Sequence, residues 1–482
     1  MKQKIILYNP KAVFFDLPLA LLAIGSNLDA SKYEIIIIDG RIDENPLLQI
    51  KKHLDNAICF GVTVLTGKPI KDALFITQKV KELKPEIITI WGGWHTSLFP
   101  KETLEDTNFI DVSVQGQGEI TFKELVNKIS LLKKESHLDG NNNLFKNIKG
   151  ICYRNNKNEI IKNPPRVIEK MDNLPSINYD FIDVEKYFVK KKKRQFDYIS
   201  STGCFFRCSF CADPFVYNRK WTSINADRMG EEIEKLQKKY KFTDLNFQDE
   251  TFFTYKKRVI EIANEFINRN LNISWAATMR ADQGVRLSID DFKLLKKSGL
   301  RRLLIGVESG SQEMMDWMKK DIKLEQVFEC ADRCKDIGIS VIFPFIVGFP
   351  KESDKSIVET IKVAKRLNAQ SKNFSTPIFY FKPYPGTKIT FDVVADEGYQ
   401  LPKSTEEWSN FDYIGTSGPW VSDAKYAFFE KFKFYLKLAY SKQNILLKPL
   451  QFIAKLRCNF DFYHLPIEKK LADIFIKKQE LS

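Results

Sequence analysis

Nothing in the sequence suits passage through a membrane. The N-terminal stretch MKQKIILYNPKAVFF runs straight into strand-like sequence and lacks the apolar core of a secretory signal. No apolar run approaches the roughly 18–20 residues that span a bilayer. Cysteine is sparse, with eight in 482 residues, which excludes a dense disulfide framework and points to a reducing cytosol. A cytoplasmic protein is therefore expected. No segment repeats at the roughly 20–50-residue period of solenoids or propellers. Acidic residues are outnumbered, 61 against 75 Lys and Arg, giving a net charge of +14. That favours an anionic partner (membrane surface, nucleic acid or acidic small molecule) without selecting among them.

What is present is ample material for cores, 44% hydrophobic and 13% aromatic, in a chain long enough for about two or three domains. Residues 4–10, 33–40, 57–63, 86–93 and 112–116 are apolar runs without polar alternation, which predicts buried parallel strands. Helical stretches near 17–28, 44–54, 69–83 and 100–108, and another from 119, separate and follow them. This is the rhythm of a doubly wound, Rossmann-like sheet, whose ligands sit at the carboxyl ends of its strands. Residues 131–195 break the rhythm with a polar loop and a hairpin carrying an Asn-rich turn, and read as a linker. A second βα series follows, with strands at 197–203, 244–249, 273–280, 301–309, 339–350 and 374–387. Six units at this spacing suggest a partial (β/α)6 barrel with function on the loops after each strand. Beyond about 400 the chain turns helical, aromatic and basic. The expected division is 1–135, a linker 136–195, a barrel 196–400 and a helical C-terminal segment 401–482.

The stretch STGCFFRCSFCADP (201–214) places Cys204, Cys208 and Cys211 on the loop after the first barrel strand. A structural zinc site wants four ligands, and no histidine lies near the three cysteines in sequence. Three thiolates on a [4Fe-4S] cluster instead leave one iron free to bind something else. The other five cysteines do not extend the motif: Cys330 and Cys334 stand i, i+4 on a predicted helix, and Cys59, Cys152 and Cys458 stand alone.

The C-x3-C-x2-C spacing, the aromatic Phe210 before the third cysteine and the six βα units that follow resemble the radical S-adenosylmethionine (SAM) superfamily. The resemblance implies that SAM chelates the fourth iron and is split by one electron into a 5′-deoxyadenosyl radical. It assigns Glu250, then Asp249, in FQDETFF to SAM's amino group. Arg280 would take SAM's carboxylate through a bidentate pair. Glu308 and Ser309 would meet the ribose hydroxyls, and Gly348 in VGFPKES would allow close backbone approach. Taken singly, each polar residue would read as a salt bridge or a cap; their joint placement on consecutive strand ends favours a site.

WGGWHTSLFP (91–100) and VQGQGEITFKEL (114–125), with the strand-end NP and DG pairs, resemble the cobalamin-binding domain fused to many radical SAM enzymes. Gly-Gln-Gly-Glu at 116–119 departs from that family's Gly-Glu-Gly-Glu. The resemblance makes Asn9, Asp39, Thr63, Gly92, Gly93, Trp94, His95, Gly116, Gly118 and Glu119 candidates for holding cobalamin. No Asp-x-His-x-x-Gly occurs in this domain, so cobalt is expected without a histidine, and His95 is expected to bond the nucleotide tail or phosphate. The tRNA methylthiotransferases share the barrel motif but carry three more N-terminal cysteines, whereas residues 1–190 hold only Cys59 and Cys152. No RNA-binding barrel follows, so no nucleic-acid partner is expected.

The whole pattern resembles the B12-dependent radical SAM group that includes anaerobic magnesium-protoporphyrin ester cyclase and hopanoid methylases. It implies a methyltransferase acting on an unactivated carbon, one SAM methylating reduced cobalamin and a second generating the radical. A cyclase or rearrangement enzyme without net methyl transfer, or a non-catalytic cobalamin or redox sensor, are the alternatives. The implied partners are a flavodoxin or ferredoxin and a small, hydrophobic or lipid-like substrate. In the basic C-terminal segment, Phe428, Phe432, Tyr435, Leu436 and Ala439 recur at helical spacing. This segment is expected to close the active site and to offer a peripheral membrane contact.

Overall fold

The apolar runs of the first 115 residues become parallel strands because helices cover both faces of their sheet. The computed structural model describes residues 2–132, 144–155, 157–350, 352–411, 418–440 and 447–469. Strands β1 (Gln3–Asn9), β2 (Tyr33–Asp39), β3 (Ala57–Thr63), β4 (Ile88–Gly92) and β5 (Val112–Val114) lie in the order 2-1-3-4-5. The order reverses between β1 and β3, so a crevice opens beyond the ends of these two strands. The helix Pro46–Leu54 shows the local logic: Asn45 caps it by accepting from Leu48 N, and Pro46 occupies its first turn. The helix expected at 100–108 forms only as Glu102–Glu105, split by a short loop from a separate helix before it, Trp94–Leu98. Pro100 causes the split, since the residue before a proline is driven out of helical geometry, and Phe99 sits at φ −127°.

The hairpin expected in the linker forms as β6 (Ile151–Arg154) and β7 (Ile160–Lys162) and belongs to the sheet. It adds two antiparallel strands beside β5, making seven. The polar loop at 133–143 lies outside the described residues.

The second series gives β8 (Gln195–Tyr198), the ribbon β9 (Ser201–Gly203) and β10 (Trp221–Ser223), β11 (Asp244–Phe247), β12 (Ser274–Met279), β13 (Leu300–Ile305), β14 (Ser340–Ile342), β15 (Phe345–Val347), β16 (Phe374–Ser375) and β17 (Ile378–Tyr380). Six of these form one parallel sheet, 8-11-12-13-14-16, the wall of the partial barrel. Three expected strands prove discontinuous. The first breaks after Tyr198, and its end turns away to pair antiparallel with β10. The fifth and sixth break at Pro344 and Pro377, which have no N–H for the ladder, and resume as the β15–β17 pair. The proline carbonyls still serve: Phe345 N donates to Pro377 O at 2.9 Å, and Val307 N and Glu308 N donate to Pro344 O at 3.2 and 3.1 Å.

The two α/β units and the C-terminal segment share packing. Leu17 and Leu22 join the barrel core, as do Phe429, Phe432, Tyr435 and Leu436 of the helix Asp423–Tyr440. Leu17 N donates to the buried Asp197 at 2.8 Å, and Asp197 also pairs with Lys191. Residues 401–411 reach back to the first unit. Thr405 donates its hydroxyl to Asp106 at 2.8 Å, and the Trp408 ring lies 4.9 Å from that of Phe99. Trp408 is only 3% exposed and sits in the core on one face of the first sheet. Trp408→Ala should therefore lower stability by about 3–5 kcal/mol. The loss should appear as a lower urea midpoint for the N-terminal unit; an unchanged midpoint would show that the clamp holds nothing.

Candidate active site

The loop that carries Cys204, Cys208 and Cys211 leaves the β9–β10 ribbon through Gly203, at φ +85°. A Cβ there would overlap the Lys220 carbonyl, so the pinch at the loop's base needs glycine. The loop is pinned from several sides. Ser209 N donates to Met318 O at 2.9 Å, Ile389 N donates to Ser209 O at 3.1 Å, and Arg207 pairs with Asp321 at 2.7 Å. The Arg280 guanidinium stacks 3.7 Å from the Phe206 ring centroid and donates to Cys208 Sγ at 3.5 Å. All three cysteines are free and half-buried. Burial pushes the Cys204 thiol up to about 11 and Cys211 well above its usual value, with Asp213 adding to the latter. A strong positive centre is needed to draw such thiols into the thiolate form.

The strand ends above the loop divide the candidate residues. Asp249 is buried, and both its oxygens are taken: Ser200 N and Ser200 Oγ donate at 2.8 and 2.6 Å, Ser201 Oγ at 2.5 Å. It holds the first strand's break rather than offering a free carboxylate. Glu250 accepts from Gly203 N at 3.2 Å and lines the central cavity. It has no ion-pair partner among the described residues. Its carboxyl, ordinarily at 4.5, is pushed up to about 8 by burial and then by the neighbouring Asp213. Arg280, expected to grip a carboxylate with its fork, already spends that fork on Asp282 (2.9 Å) and the Lys320 carbonyl (2.6 Å). Glu308, at φ +68°, pairs with the buried Lys320 at 2.7 Å. Ser309 is fully buried, 3.1 Å from the Thr360 hydroxyl and accepting from Ser311 N, so it faces the neighbouring helix. Gly348, at φ +75°, donates to Glu352 at 2.6 Å, and its carbonyl accepts from Trp420 Nε1 at 2.6 Å. Phe210 packs on the barrel core with the Lys320 ammonium 5.7 Å from its ring centroid.

A cavity of about 490 Å³ lies where the two sheets' strand ends face each other. Asn9, Thr63, Gly92, Gly93, Trp94, Gly116, Gly118 and Glu119 line one wall; Thr202, Tyr217 and Glu250 line the other. Of the cluster and SAM candidates only Glu250 lines this cavity, and of the cobalamin candidates two do not. Asp39 is buried and saturated by Arg41 (2.6 Å), Asn9 (3.0 Å) and Tyr187 (2.7 Å), which makes it a joint between the sheet and the helix Val184–Lys191. His95 is fully buried, its Nδ1 3.3 Å from the Thr66 hydroxyl and its ring 5.3 Å from Phe99. Burial pulls its pKa down to about 3, so it is a neutral packing group. None of the described residues of the C-terminal segment, expected to close the site, lines this cavity; Trp420 rests on Gly348 instead.

Two groups escaped the sequence reading. Tyr217 stands edge-on to Trp94, ring centroids 5.9 Å apart, where it bridges the two walls. Burial and then the carboxyls of Glu250, Asp213 and Glu119 hold its phenol protonated. Lys320 joins Glu308 to the cysteine loop. Neither carries a signal in spacing or composition.

The profile of the Radical SAM superfamily matches residues 198–364, and that of the B12 binding domain matches residues 9–126. This is a B12-binding radical SAM protein. Over 377 residues it is 29% identical to the uncharacterized methyltransferase PH0819 of Pyrococcus horikoshii, covering 77% of each chain. It is 28% identical to the anaerobic magnesium-protoporphyrin IX monomethyl ester cyclase of Rubrivivax gelatinosus, over 67% of this chain and 56% of that one. The fold of the radical SAM methyltransferase TsrM from Kitasatospora setae, solved with cobalamin and a [4Fe-4S] cluster, superposes with a TM-score of 0.68 at 16% identity, over 82% of this chain and 75% of TsrM. The cofactors of such a protein are a [4Fe-4S] cluster, SAM and cobalamin.

The residues of this B12-binding radical SAM protein fit those groups. Among the described residues no three His, Cys, Asp or Glu side chains converge on a single metal ion. A four-iron cluster asks for no such convergence, because each thiolate binds a different iron. The buried Glu250, without a cation of its own, suits the ammonium of SAM. The glycines at 92, 116 and 118 leave the first wall open to a flat macrocycle, whereas Gly93, at φ +98°, makes a close turn in which a Cβ would strike the Val64 backbone.

Three outcomes follow from this geometry. Replacing Cys204, Cys208 and Cys211 together with Ala should abolish the brown chromophore after anaerobic reconstitution, and a retained four-iron content would refute the ligand set. His95→Ala should leave the nitrogen hyperfine pattern of bound cob(II)alamin unchanged in electron paramagnetic resonance; a lost or gained splitting would place that histidine at the cobalt. For Glu250, the folded SAM-free protein keeps its proton between about 4.5 and about 8, where the unfolded chain has released it. Stability therefore falls across that window as pH rises. The melting-temperature advantage of Glu250→Gln over the parent should grow through the window and shrink when SAM is added. Parallel pH profiles would show that the carboxyl is not buried unpaired.

Proposed function

We propose that the protein is a cobalamin-dependent radical SAM methyltransferase that places a methyl group on an unactivated carbon of a small, apolar substrate. The observation that carries this reading is the single cavity walled at once by the strand ends of the B12-binding unit and by Glu250, Thr202 and Tyr217 of the barrel. With the cluster on Cys204, Cys208 and Cys211, SAM beside Glu250 and cobalamin on the glycine-rich wall, the first two would supply one-electron chemistry at carbon and the third would be the methyl carrier. The chain's own contribution is placement and exclusion of water. Cys204, Cys208 and Cys211 hold the cluster, and Arg280 sets a positive charge beside Cys208 and stiffens the loop through Phe206. Glu250 orients SAM by its ammonium, while Tyr217 keeps its proton and spaces the barrel wall from Trp94. Leu17, Leu19, Leu21, Ile24, Ile177 and Ile224 give the cavity an apolar lining, which favours a hydrophobic substrate over a charged one.

The likeness to the Rubrivivax ester cyclase supports a second reading, a cyclisation or rearrangement without methyl transfer. That likeness spans little more than half of the cyclase's length. Product mass separates the two. Anaerobic turnover of small molecules that co-purify with the protein should release 5′-deoxyadenosine and yield a product heavier by one CH2 unit. A product lighter by two hydrogens would establish the cyclase reading, and no 5′-deoxyadenosine under any condition would reduce the protein to a sensor.

A further inference from the structure

The helix Lys448–Asn459 buries only its inner face. Ala454 and Cys458 are fully buried toward the helix Asp423–Tyr440, while Phe452, Leu456 and Phe460 run along the outer face at intervals of four and are 63%, 40% and 78% exposed. Phe462, Leu465 and Ile467 extend this apolar surface beyond the helix end. Lys448 and Lys455 stand exposed on the same helix. The nearby acids are already neutralised, Asp461 by Lys365 at 2.6 Å and Glu468 by Arg457 at 3.0 Å. Among the described residues between 424 and 469, eight Lys or Arg stand against three Asp or Glu, so the charge around this face is positive.

We propose that this face docks the protein on an anionic lipid surface. An apolar row with lysines on the same helix is what an interfacial helix presents: side chains enter the acyl boundary while ammonium groups meet phosphates. A second copy is the poorer occupant, since apposing two such faces would bring like-charged lysine rims together. The helix Asp423–Tyr440, whose periodicity suggested this role in the sequence, is excluded from it. Its apolar face is spent on the barrel and on Ala454 and Cys458. The inference is independent of the reaction assigned to the cavity and fails separately from it.

The test is flotation of the full-length protein with phosphatidylcholine vesicles, with and without phosphatidylglycerol. The parent protein should float with the anionic vesicles and remain below with the neutral ones. Phe452→Ser with Phe460→Ser should cut the floated fraction about tenfold by removing the inserting surface. Lys448→Glu with Lys455→Glu should cut it about fivefold and flatten its salt dependence. Both pairs are exposed, so melting curves should match the parent's and separate docking from folding. The proposal is overturned if the parent stays below at low salt, or if the Phe pair floats as well as the parent. A concentration-dependent dimer that the Phe pair abolishes, without flotation, would make the face a self-association surface and overturn it too.

Discussion

The candidate site depends on one buried carboxylate, that of Asp249. It accepts three hydrogen bonds from Ser200 and Ser201, and its burial cost is offset by the neighbouring Arg258. Arg258 in turn donates to the Ser200 carbonyl at 3.0 Å, the Ser200 hydroxyl at 2.8 Å and the Ile224 carbonyl at 3.1 Å. Ser200 precedes the cysteine loop and Ile224 follows it. Asp249 and Arg258, both bonded to Ser200, therefore tie both ends of the loop to the end of β11, where the first strand breaks after Tyr198 and β9 turns toward the cavity. Removing the Asp249 carboxylate would leave the buried Ser200 and Ser201 donors without their acceptor, at a cost of about 1–3 kcal/mol each. The cysteine positions follow from that knot, not from their own spacing.

The knot also explains which parts of the site could be read from the sequence. Cys204, Cys208 and Cys211 were legible because their chemistry is carried by residue type and spacing alone. That Glu250, Thr63 and Gly92 would line a cavity was legible because a parallel sheet opens its clefts at its strand ends. Asp249, one residue from Glu250, has the same chemistry and the same topological address, yet serves the fold. So do Asp39, saturated by Arg41, Asn9 and Tyr187, and Ser309, turned toward Thr360. Sequence gives the address of a strand end; which way each side chain faces, and whether its hydrogen bonds are already spent, depends on partners tens of residues away. His95 lies away from the cavity for that reason: the first turn of the helix Trp94–Leu98 turns it into the interior beside Phe99.

The fold divides in the same way. The rhythm of strands and helices, from apolar runs alone, located both parallel sheets. The breaks at Pro344 and Pro377 were written in the sequence, since a proline inside an apparent central strand must interrupt the ladder. The hairpin was visible as a hairpin but not as a sheet edge, because which strand a hairpin joins is a tertiary choice. The periodicity of residues 428–439 was real, but an apolar helical face is the same signal whether protein or lipid covers it. The structure gives that face to the barrel and leaves the next helix with the exposed one.

Electrostatics links the two halves of the cavity. Asp213 is pushed up to about 6 by burial, and Glu250 to about 8 by burial and then by the charge of Asp213. The barrel wall thus holds one carboxyl that keeps its proton up to about pH 8, beside the buried thiols of Cys204 and Cys211, whose ionisation is likewise opposed. A positively charged sulfonium amino acid with an ammonium group relieves the first deficit, and iron relieves the second. Binding of either favours the folded loop by mass action, because the unfolded chain offers no such site. The loop rests on the barrel through Met318, and the segment that follows it meets the B12-binding wall through Tyr217 and Trp94. The two cavity walls therefore share one aromatic contact, so a substitution at Tyr217 bears on both.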